Sequence, residues 1–178
     1  MLRGDLYRAD DPFLVGARRR CAELIARLDG TSADDEARKD LLGELLGSLG
    51  DGANIMPPFR CDYGSHIRIG ARTFINYGTV ALDSARITIG EDVKIGPNVQ
   101  LLTATHPVDP AVRRDGLEYA LPITVEDGAW LGGGAIVGPG VTIGRDSVIG
   151  AGSVVIRDVP AGVVAAGNPC RVVRTIGA

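Results

Sequence analysis

The chain has 178 residues, enough for one hydrophobic core with a small accessory and too few for two full enzyme domains. It is 45% hydrophobic but only 4% aromatic and contains 25 glycines, so its core must consist of thin layers of Val, Ile, Leu and Ala. A net charge of −3 and a pI near 5.4 give no electrostatic reason to expect nucleic acid or an anionic membrane as a partner.

The first residues contain no apolar segment of the kind found in a signal peptide or a membrane anchor, so we expect a cytoplasmic protein. The three cysteines, Cys21, Cys61 and Cys170, form no CxxC pair. This pattern suits a reducing compartment and argues against a thiolate zinc site or a disulfide framework. We therefore expect each of the three to be a buried or idle thiol.

Residues 1–52 are predicted to form an N-terminal cap, a hairpin of two helices. Apolar residues recur at spacings of three and four across residues 14–28, which indicates an amphipathic helix. Ser32, with Asp35 three residues later, marks the start of a second helix that we expect to reach about Leu49. The cap is either a lid over a substrate site or an accessory that covers one end of the main domain.

Six-residue phrases replace the helical period in residues 53–178. The segment "VEDGAWLGGGAIVGPGVTIGRDSVIGAGSVV" places an aliphatic residue at every sixth position: Val125, Leu131, Val137, Ile143, Ile149 and Val155. Helical faces recur every 3.6 residues and pleated faces every 2, so neither explains this spacing. The repeat predicts a solenoid in which one aliphatic side chain per hexad points inward and three hexads close a triangular coil. About five coils are available, separated by roughly 4.8 Å.

The repeat is interrupted at about 103–122 by a predicted loop that contains one of the two histidines. His106 lies in "TATHPVDP". An imidazole, with an ordinary pKa near 6.5, is well suited to act as a general base, and the alternative is a solvated loop histidine. The second histidine, His66, alternates with Ile67 and Ile69 in "YGSHIRIG", which predicts an exposed strand residue.

Six separated motifs resemble those of the maltose and galactoside O-acetyltransferases and the related nodulation acetyltransferases. In chain order they are "GDLYRADDPFL", "PPFRCDYGSHIRIG", "TATHPVDP", "GLEYALPI", "WLGGGAIVGPGVTIG" and "DVPAGVVAAGNPCRVVR". The resemblance implies a mainly β fold, a left-handed parallel β-helix, whose handedness the periodicity itself does not fix. It also implies transfer of an acetyl group from acetyl-CoA to a sugar hydroxyl, in active sites between the subunits of a homotrimer.

The resemblance implies that His106 is the catalytic base. It further implies that the sugar acceptor is bound by polar side chains at four positions: Asp62, Asn76, Asp83 and Ser84. Carboxylates and amides can bridge adjacent sugar hydroxyls. Asp62, in "RCDYG", is the maltose-type residue, whereas galactoside enzymes carry a serine at this position and an acid at that of Ser84. Trp130 is too large for a layer of small aliphatic residues, so we expect it to form a wall of the substrate pocket or cleft.

Three other acids have open roles in the sequence. Asp10 and Asp11 are uncertain substitutes for the acid that galactoside enzymes carry near this position, and we prefer a role in capping the first helix. Glu118, in "GLEYALP", is a loop acid that orients either the loop or His106.

The donor site is predicted from small and basic residues. Gly133 and Ala151 leave room for the pantetheine arm of coenzyme A and match the family's coenzyme A positions. The arginines of the C-terminal segment suit its phosphates, with solvated surface charge as the alternative for each: Arg157, Arg171 and Arg174. The family usually has Thr where this chain has Ile156, which removes one hydroxyl contact.

No metal is expected, because two histidines cannot supply the three zinc ligands of the hexapeptide-type carbonic anhydrases, which share the fold. Two other functions remain open at this point. One is a hexapeptide acetyltransferase with a non-sugar acceptor, such as an antibiotic or serine, and the other is a non-catalytic β-helical scaffold. The sequence identifies neither the physiological acceptor nor the hydroxyl that is acetylated.

Overall fold

The computed structural model describes residues 1–32 and 35–177. Its helices are α1 (Pro12–Asp29), α2 (Glu36–Leu45) and α3 (Pro110–Arg114). The strands, in chain order, are β1 Tyr7–Arg8, β2 Ser48–Leu49, β3 Asn54–Ile55, β4 Arg60–Cys61, β5 Ile67–Ile69, β6 Phe74–Ile75, β7 Val80–Leu82, β8 Ile87–Ile89, β9 Lys94–Ile95, β10 Gln100–Leu102, β11 Ala104–Thr105, β12 Leu117–Ala120, β13 Ile123–Val125, β14 Trp130–Leu131, β15 Ile136–Val137, β16 Thr142–Ile143, β17 Val148–Ile149, β18 Val154–Val155, β19 Val163–Gly167 and β20 Cys170–Thr175.

The two cap helices begin at aspartates that satisfy free backbone N–H groups. The Asp11 carboxylate accepts a hydrogen bond of 2.9 Å from the Phe13 N–H, so its predicted capping role is confirmed. Asp35 caps α2, while residues 33 and 34, where we expected the first turn, lie outside the described residues. The prediction that α2 continues to about Leu49 is wrong. It ends at Leu45 because the following residues form β2 and pair with β5.

Parallel pairing stacks most strands into three sheets. Their orders are β18-β15-β10-β7-β4 in the first sheet, β16-β13-β8-β5-β2 in the second and β20-β19-β17-β14-β9-β6-β3 in the third. Successive strands of the chain visit the second, third and first sheets in turn, which defines a parallel β-solenoid with a triangular cross-section. The predicted parallel β-helix with an N-terminal helical hairpin is therefore confirmed. The stack is longer than the expected five coils, because β2 and β19 extend it at either end.

The inward hexad positions form the core. Leu131 is fully buried and lies between Ile95 and Ile149 of the neighbouring coils. Each such side chain contributes about 1.5–3 kcal/mol by leaving water. The bends between strands require tight backbone geometry. At Gly128, for example, φ is +69° and an added Cβ would collide with the Asp146 carboxylate of the next coil.

The cap packs on one end of the solenoid. Leu28 and Leu45 are buried in the same hydrophobic core as the coils. Buried Arg38 links the parts, donating hydrogen bonds to the Leu28 carbonyl (3.1 Å) and to the Ile55 carbonyl of the first coils (2.9 Å). At the other end, β20 pairs antiparallel with β19. Both ends of the stack are thus covered. Within residues 1–32 and 35–177, the helices fall short of the length and apolarity that crossing a membrane requires.

Candidate active site

One corner of the prism collects most of the polar side chains predicted for the acceptor. Strands β4, β7 and β10 are neighbours in the first sheet and end at this corner. Asp62 follows β4, Asp83 and Ser84 follow β7, and the loop 103–122 follows β10. We call this set the polar corner. Stacking of three coils therefore brings together residues that the sequence separates by about one coil each.

The loop carries His106 on a small sheet of its own. Strand β12 pairs antiparallel with β11, which immediately precedes His106, and on its other side with β1 from the N-terminal segment. His106 is 58% exposed, and its Nε2 lies 3.8 Å from Oε2 of Glu118, whose side chain is only 17% exposed. Of the two roles left open for Glu118, the structure shows a carboxylate that faces His106.

Asp83 lies beneath this surface. Its carboxylate is fully buried and accepts hydrogen bonds from the N–H groups of Asp62 (3.0 Å), Tyr63 (2.8 Å) and His66 (3.3 Å). Burial raises the pKa of Asp83, and the hydrogen bonds from Tyr63 and His66 oppose that shift. The sequence groups Asp83 with the sugar ligands. In the structure its carboxylate instead accepts hydrogen bonds from backbone N–H groups of residues 62–66 and so fixes that backbone.

Asp62 is half-buried at the rim of the corner. Burial and the neighbouring Asp83 raise the pKa of Asp62, while Arg18 and a hydrogen bond with Ser84 lower it. Ser84 is itself buried. Asp62 and Ser84 are thus neighbours at this corner.

Sequence reasoning missed the residues that the cap adds to this corner. Arg18 of α1 donates a hydrogen bond of 2.8 Å to the Tyr63 hydroxyl and another to the Ala9 carbonyl. Arg18 begins a run of three arginines, residues 18–20, and such a run suggests a solvent-exposed face of the helix. A signal was available, because Arg18 lies three residues before buried Cys21 and so shares its side of the helix. Tyr7, on β1, also reaches the corner.

The second histidine differs from its prediction. His66 precedes β5 and is half-buried: its Nδ1 lies 2.7 Å from the Asp83 carbonyl oxygen, and its ring packs against Tyr63 with centroids 5.2 Å apart. The expectation of an exposed strand histidine is wrong, because the turn before β5 directs the ring toward the backbone that follows β7.

A different corner holds Gly133 and Ala151, predicted for the donor, together with Asn76, which was predicted for the acceptor and lies apart from Asp62, Asp83 and Ser84. Strands β6, β14 and β17 of the third sheet end there, at Asn76, before Gly133 and before Ala151. We call it the small-residue corner. The Asn76 side-chain oxygen accepts a hydrogen bond of 2.8 Å from the N–H of Tyr77. A Cβ on Gly133 would approach the Pro97 ring to 3.2 Å. Trp130 begins β14 and is 54% exposed.

The three arginines lie near the C-terminal end of the solenoid. Arg157 and Arg171 line one small cavity of about 140 Å³ together with Cys170. Arg174 is exposed further along β20 and is not among the residues that line this cavity. The structure thus brings two of the three predicted phosphate ligands together.

The cysteines lie in the interior. The Sγ atoms of Cys21 on α1 and Cys61 on β4 are 3.6 Å apart. The Cys21 thiol and burial raise the pKa of Cys61, and burial raises that of Cys170. Both groups therefore stay protonated near neutral pH, a form that is a weak nucleophile. In the part of the chain that the structure describes, no three His, Cys, Asp or Glu side chains cluster in a way that could hold a metal ion.

Known proteins match both parts of the chain. Residues 1–50 match the family described as maltose acetyltransferase hexapeptide capping motif, and residues 122–157 match bacterial transferase hexapeptide (six repeats). Nodulation protein L of Rhizobium leguminosarum bv. viciae is 52% identical over 173 residues, covering 97% of this chain and 91% of that protein.

Two solved structures share the fold. A maltose O-acetyltransferase from Clostridium difficile 630 superposes with a TM-score of 0.97 at 45% identity, covering 99% of this chain and 95% of that one. A hexapeptide-repeat acetyltransferase from Vibrio cholerae O1 biovar eltor, complexed with acetyl coenzyme A, gives a TM-score of 0.93 at 40% identity, covering 100% and 97%. The chain therefore belongs to the maltose and galactoside O-acetyltransferase family of hexapeptide-repeat acetyltransferases.

Proposed function

We propose that this protein transfers the acetyl group of acetyl-CoA to a hydroxyl of a sugar, glucose- or maltose-like or a galactoside, with His106 as the general base. The observation that carries the proposal is the polar corner, where exposed His106 lies beside Glu118, and Asp62 lies within the electrostatic influence of Glu118 and Ser84. The relatives named for maltose O-acetyltransferase activity and for a bound acetyl coenzyme A support the same two substrates.

The reaction follows from the chemistry of a sugar hydroxyl, which is a poor nucleophile at neutral pH. His106 takes the hydroxyl proton as the oxygen attacks the carbonyl carbon of the thioester. The resulting tetrahedral oxyanion is stabilised by backbone N–H donors, and it collapses as the carbon–sulfur bond breaks. The imidazolium of His106 then returns the proton to the departing thiolate. The products are the acetylated sugar and free coenzyme A.

The side chains divide the binding between acceptor and donor. Asp62, Asn76, Asp83 and Ser84 form the acceptor set, in which Asp83 acts through the backbone that it holds. Trp130 forms a wall of the cleft. Gly133 and Ala151 leave room for the pantetheine arm, and the phosphates are bound by the late arginines: Arg157, Arg171 and Arg174.

A homotrimer completes the site in this proposal. The polar corner and the small-residue corner lie at different edges of one triangular prism, so a neighbouring subunit is needed to oppose them across a cleft. Residues 1–52 serve as the cap and residues 53–178 as the acyltransferase domain, with the inserted loop at about 103–122. The free cysteines suit a cytoplasmic enzyme.

The decisive experiment replaces the base. His106→Ala should lower the rate of sugar-dependent thiol release from acetyl-CoA by about 10²–10⁴-fold, because general base catalysis contributes that much. Arg114→Ala is the matched control, since Arg114 is exposed on α3 of the same loop. Turnover by His106→Ala equal to that of the control would refute the mechanism.

An acceptor panel tests the substrate class. We expect thiol release with at least one of glucose, maltose, galactosides or chito-oligosaccharides. Activity only with a non-sugar hydroxyl or amine would refute the sugar assignment, and no activity with any acceptor would refute the enzymatic function as well.

A further inference from the structure

The N-terminal segment reaches the catalytic loop through a strand pair that joins distant parts of the sequence. Strand β1 pairs antiparallel with β12, and Tyr7 is directly opposite Glu118. Strand β12 in turn pairs with β11, which leads into His106. The cap therefore contributes one edge strand of the small sheet that presents the base.

Tyr7 lacks a hydrogen-bond partner where one is expected. Its hydroxyl is buried from solvent and, among the residues that the structure describes, has no partner in good hydrogen-bond geometry, although the Ser84 and Glu118 side chains lie close enough to shift its pKa. Leaving a buried hydroxyl unsatisfied costs about 1–3 kcal/mol. Burial is the main cause that raises the pKa of Tyr7, and Glu118 adds to it, so the phenol keeps its proton near neutral pH. It is a donor, and the polar side chains next to it are Ser84 and Glu118.

The Glu118 carboxylate can accept a hydrogen bond from the Tyr7 hydroxyl. The one basic side chain that pairs with Glu118 in residues 1–32 and 35–177 is His106, at 3.8 Å. Arg18 of the cap donates instead to Tyr63 and to the Ala9 carbonyl. The distance of 3.8 Å is longer than a hydrogen bond and short enough for an ion pair, so a shift of less than about 1 Å would bring the two groups into hydrogen-bond contact.

We propose that Tyr7 is a positioning residue for the reaction: its hydroxyl holds the Glu118 carboxylate, and Glu118 in turn orients His106. The inference rests on the function proposed above. With Nε2–H donated to Glu118, the lone pair of His106 lies on Nδ1, which becomes the atom that takes the sugar proton. The carboxylate also stabilises the imidazolium that forms at that moment.

Single substitutions measure each link. Glu118→Gln should lower kcat by between about ten- and a hundredfold, the loss expected when a charge-assisted hydrogen bond is removed. Tyr7→Phe should lower kcat by about three- to tenfold, a smaller loss because Tyr7 acts on His106 only through Glu118, which keeps its own contact with the base. The KM for acetyl-CoA should stay unchanged in both variants, because neither side chain belongs to the proposed donor set. A merely structural defect would instead change kcat and KM together.

A double variant tests whether Tyr7 acts through Glu118. If it does, Tyr7→Phe combined with Glu118→Gln should be no slower than Glu118→Gln alone, within about twofold. Tyr119→Phe is the matched control, since it removes a phenol from the adjacent position of β12, where side chains point to the other face. Its kcat should equal that of the unmodified chain.

Several outcomes would overturn the inference. Full kcat in Tyr7→Phe, or losses that multiply in the double variant, would show that Tyr7 does not act through Glu118. These results would leave the proposed function intact provided that His106→Ala is inactive. Conversely, an active His106→Ala variant would refute the proposed function whatever the Tyr7 variants do. Thermal unfolding of every variant identifies any loss of activity that comes from loss of fold.

Discussion

The aliphatic layers of the solenoid and its polar corner are stabilised by opposite means. In the layers, residues such as Leu131 are fully buried between equivalent aliphatic side chains of adjacent coils, and these side chains have no polar atom to satisfy. At the polar corner, the buried Asp83 carboxylate accepts hydrogen bonds from three backbone N–H groups. Burial raises the pKa of both Asp83 and Asp62, which means that their ionised forms are disfavoured there. The contrast shows that the repeated aliphatic positions stabilise the fold, whereas the polar residues outside the repeat form the candidate site.

The largest expected effect lies in the layers. Leu131→Ala should lower the free energy of unfolding by about 2–5 kcal/mol, because it removes a buried side chain and leaves a cavity. Urea denaturation followed by circular dichroism measures the loss. Val148→Ala, at a half-buried outward position on the adjacent strand β17, is the control and should cost much less. Equal losses would mean that the inward positions do not dominate stability.

A middle-sized effect is expected in the cap. Asp11→Ala should lower the free energy of unfolding by about 1 kcal/mol, since it removes the acceptor for the first N–H groups of α1. Asp10→Ala is the control, because Asp10 is exposed and does not cap the helix. If both variants unfold at the same denaturant concentration, the capping argument fails.

The smallest effect, and one of opposite sign, is expected at the polar corner. Burial raises the pKa of Asp62 in the folded state above its unfolded value, so the ionised form is disfavoured by folding. The stability that Asp62 contributes is greatest below its unfolded pKa, near 4, and is lost as the pH rises through the higher folded value. Asp62→Asn should therefore raise the midpoint of thermal unfolding at pH 7 while weakening acceptor binding.

The same substitution carries its own pH test. The increase in the unfolding midpoint caused by Asp62→Asn should disappear as the pH falls below about 4, where Asp62 is protonated in both the folded and the unfolded protein. Asp51→Asn, at an exposed position, serves as the control and should change the unfolding midpoint at neither pH. A destabilised Asp62→Asn variant at pH 7 would contradict the contrast between the two regions.

The periodic part of the fold could be predicted from the sequence and the irregular part could not. A six-residue period sets which side chains point inward, because every coil obeys the same local rule, so the buried position of Leu131 follows directly. Strand β2 was missed because Ser48–Leu49 continues an apolar helical pattern, and only pairing with β5 decides its conformation. Local preference was overridden by tertiary contact there.

The candidate site divides in the same way. His106 stood out because the repeat breaks around it, and Asp62 and Ser84 because of the family motifs. The links from Tyr7 to Glu118 and from Arg18 to Tyr63 join residues far apart in the sequence, and no periodicity connects their positions. His66 was misread because an alternating pattern does not show which way the turn before a strand directs a ring.

The loop at 103–122 has a consequence for how such enzymes change. The coils on either side of it continue the stack without a gap, since β13 pairs directly with β8 and β10 with β15. The loop therefore leaves and rejoins the solenoid without setting the register of any layer. We expect that a different segment grafted between His106 and Leu117, which leaves β11 and β12 in place, would change the acceptor preference while the coils keep their register.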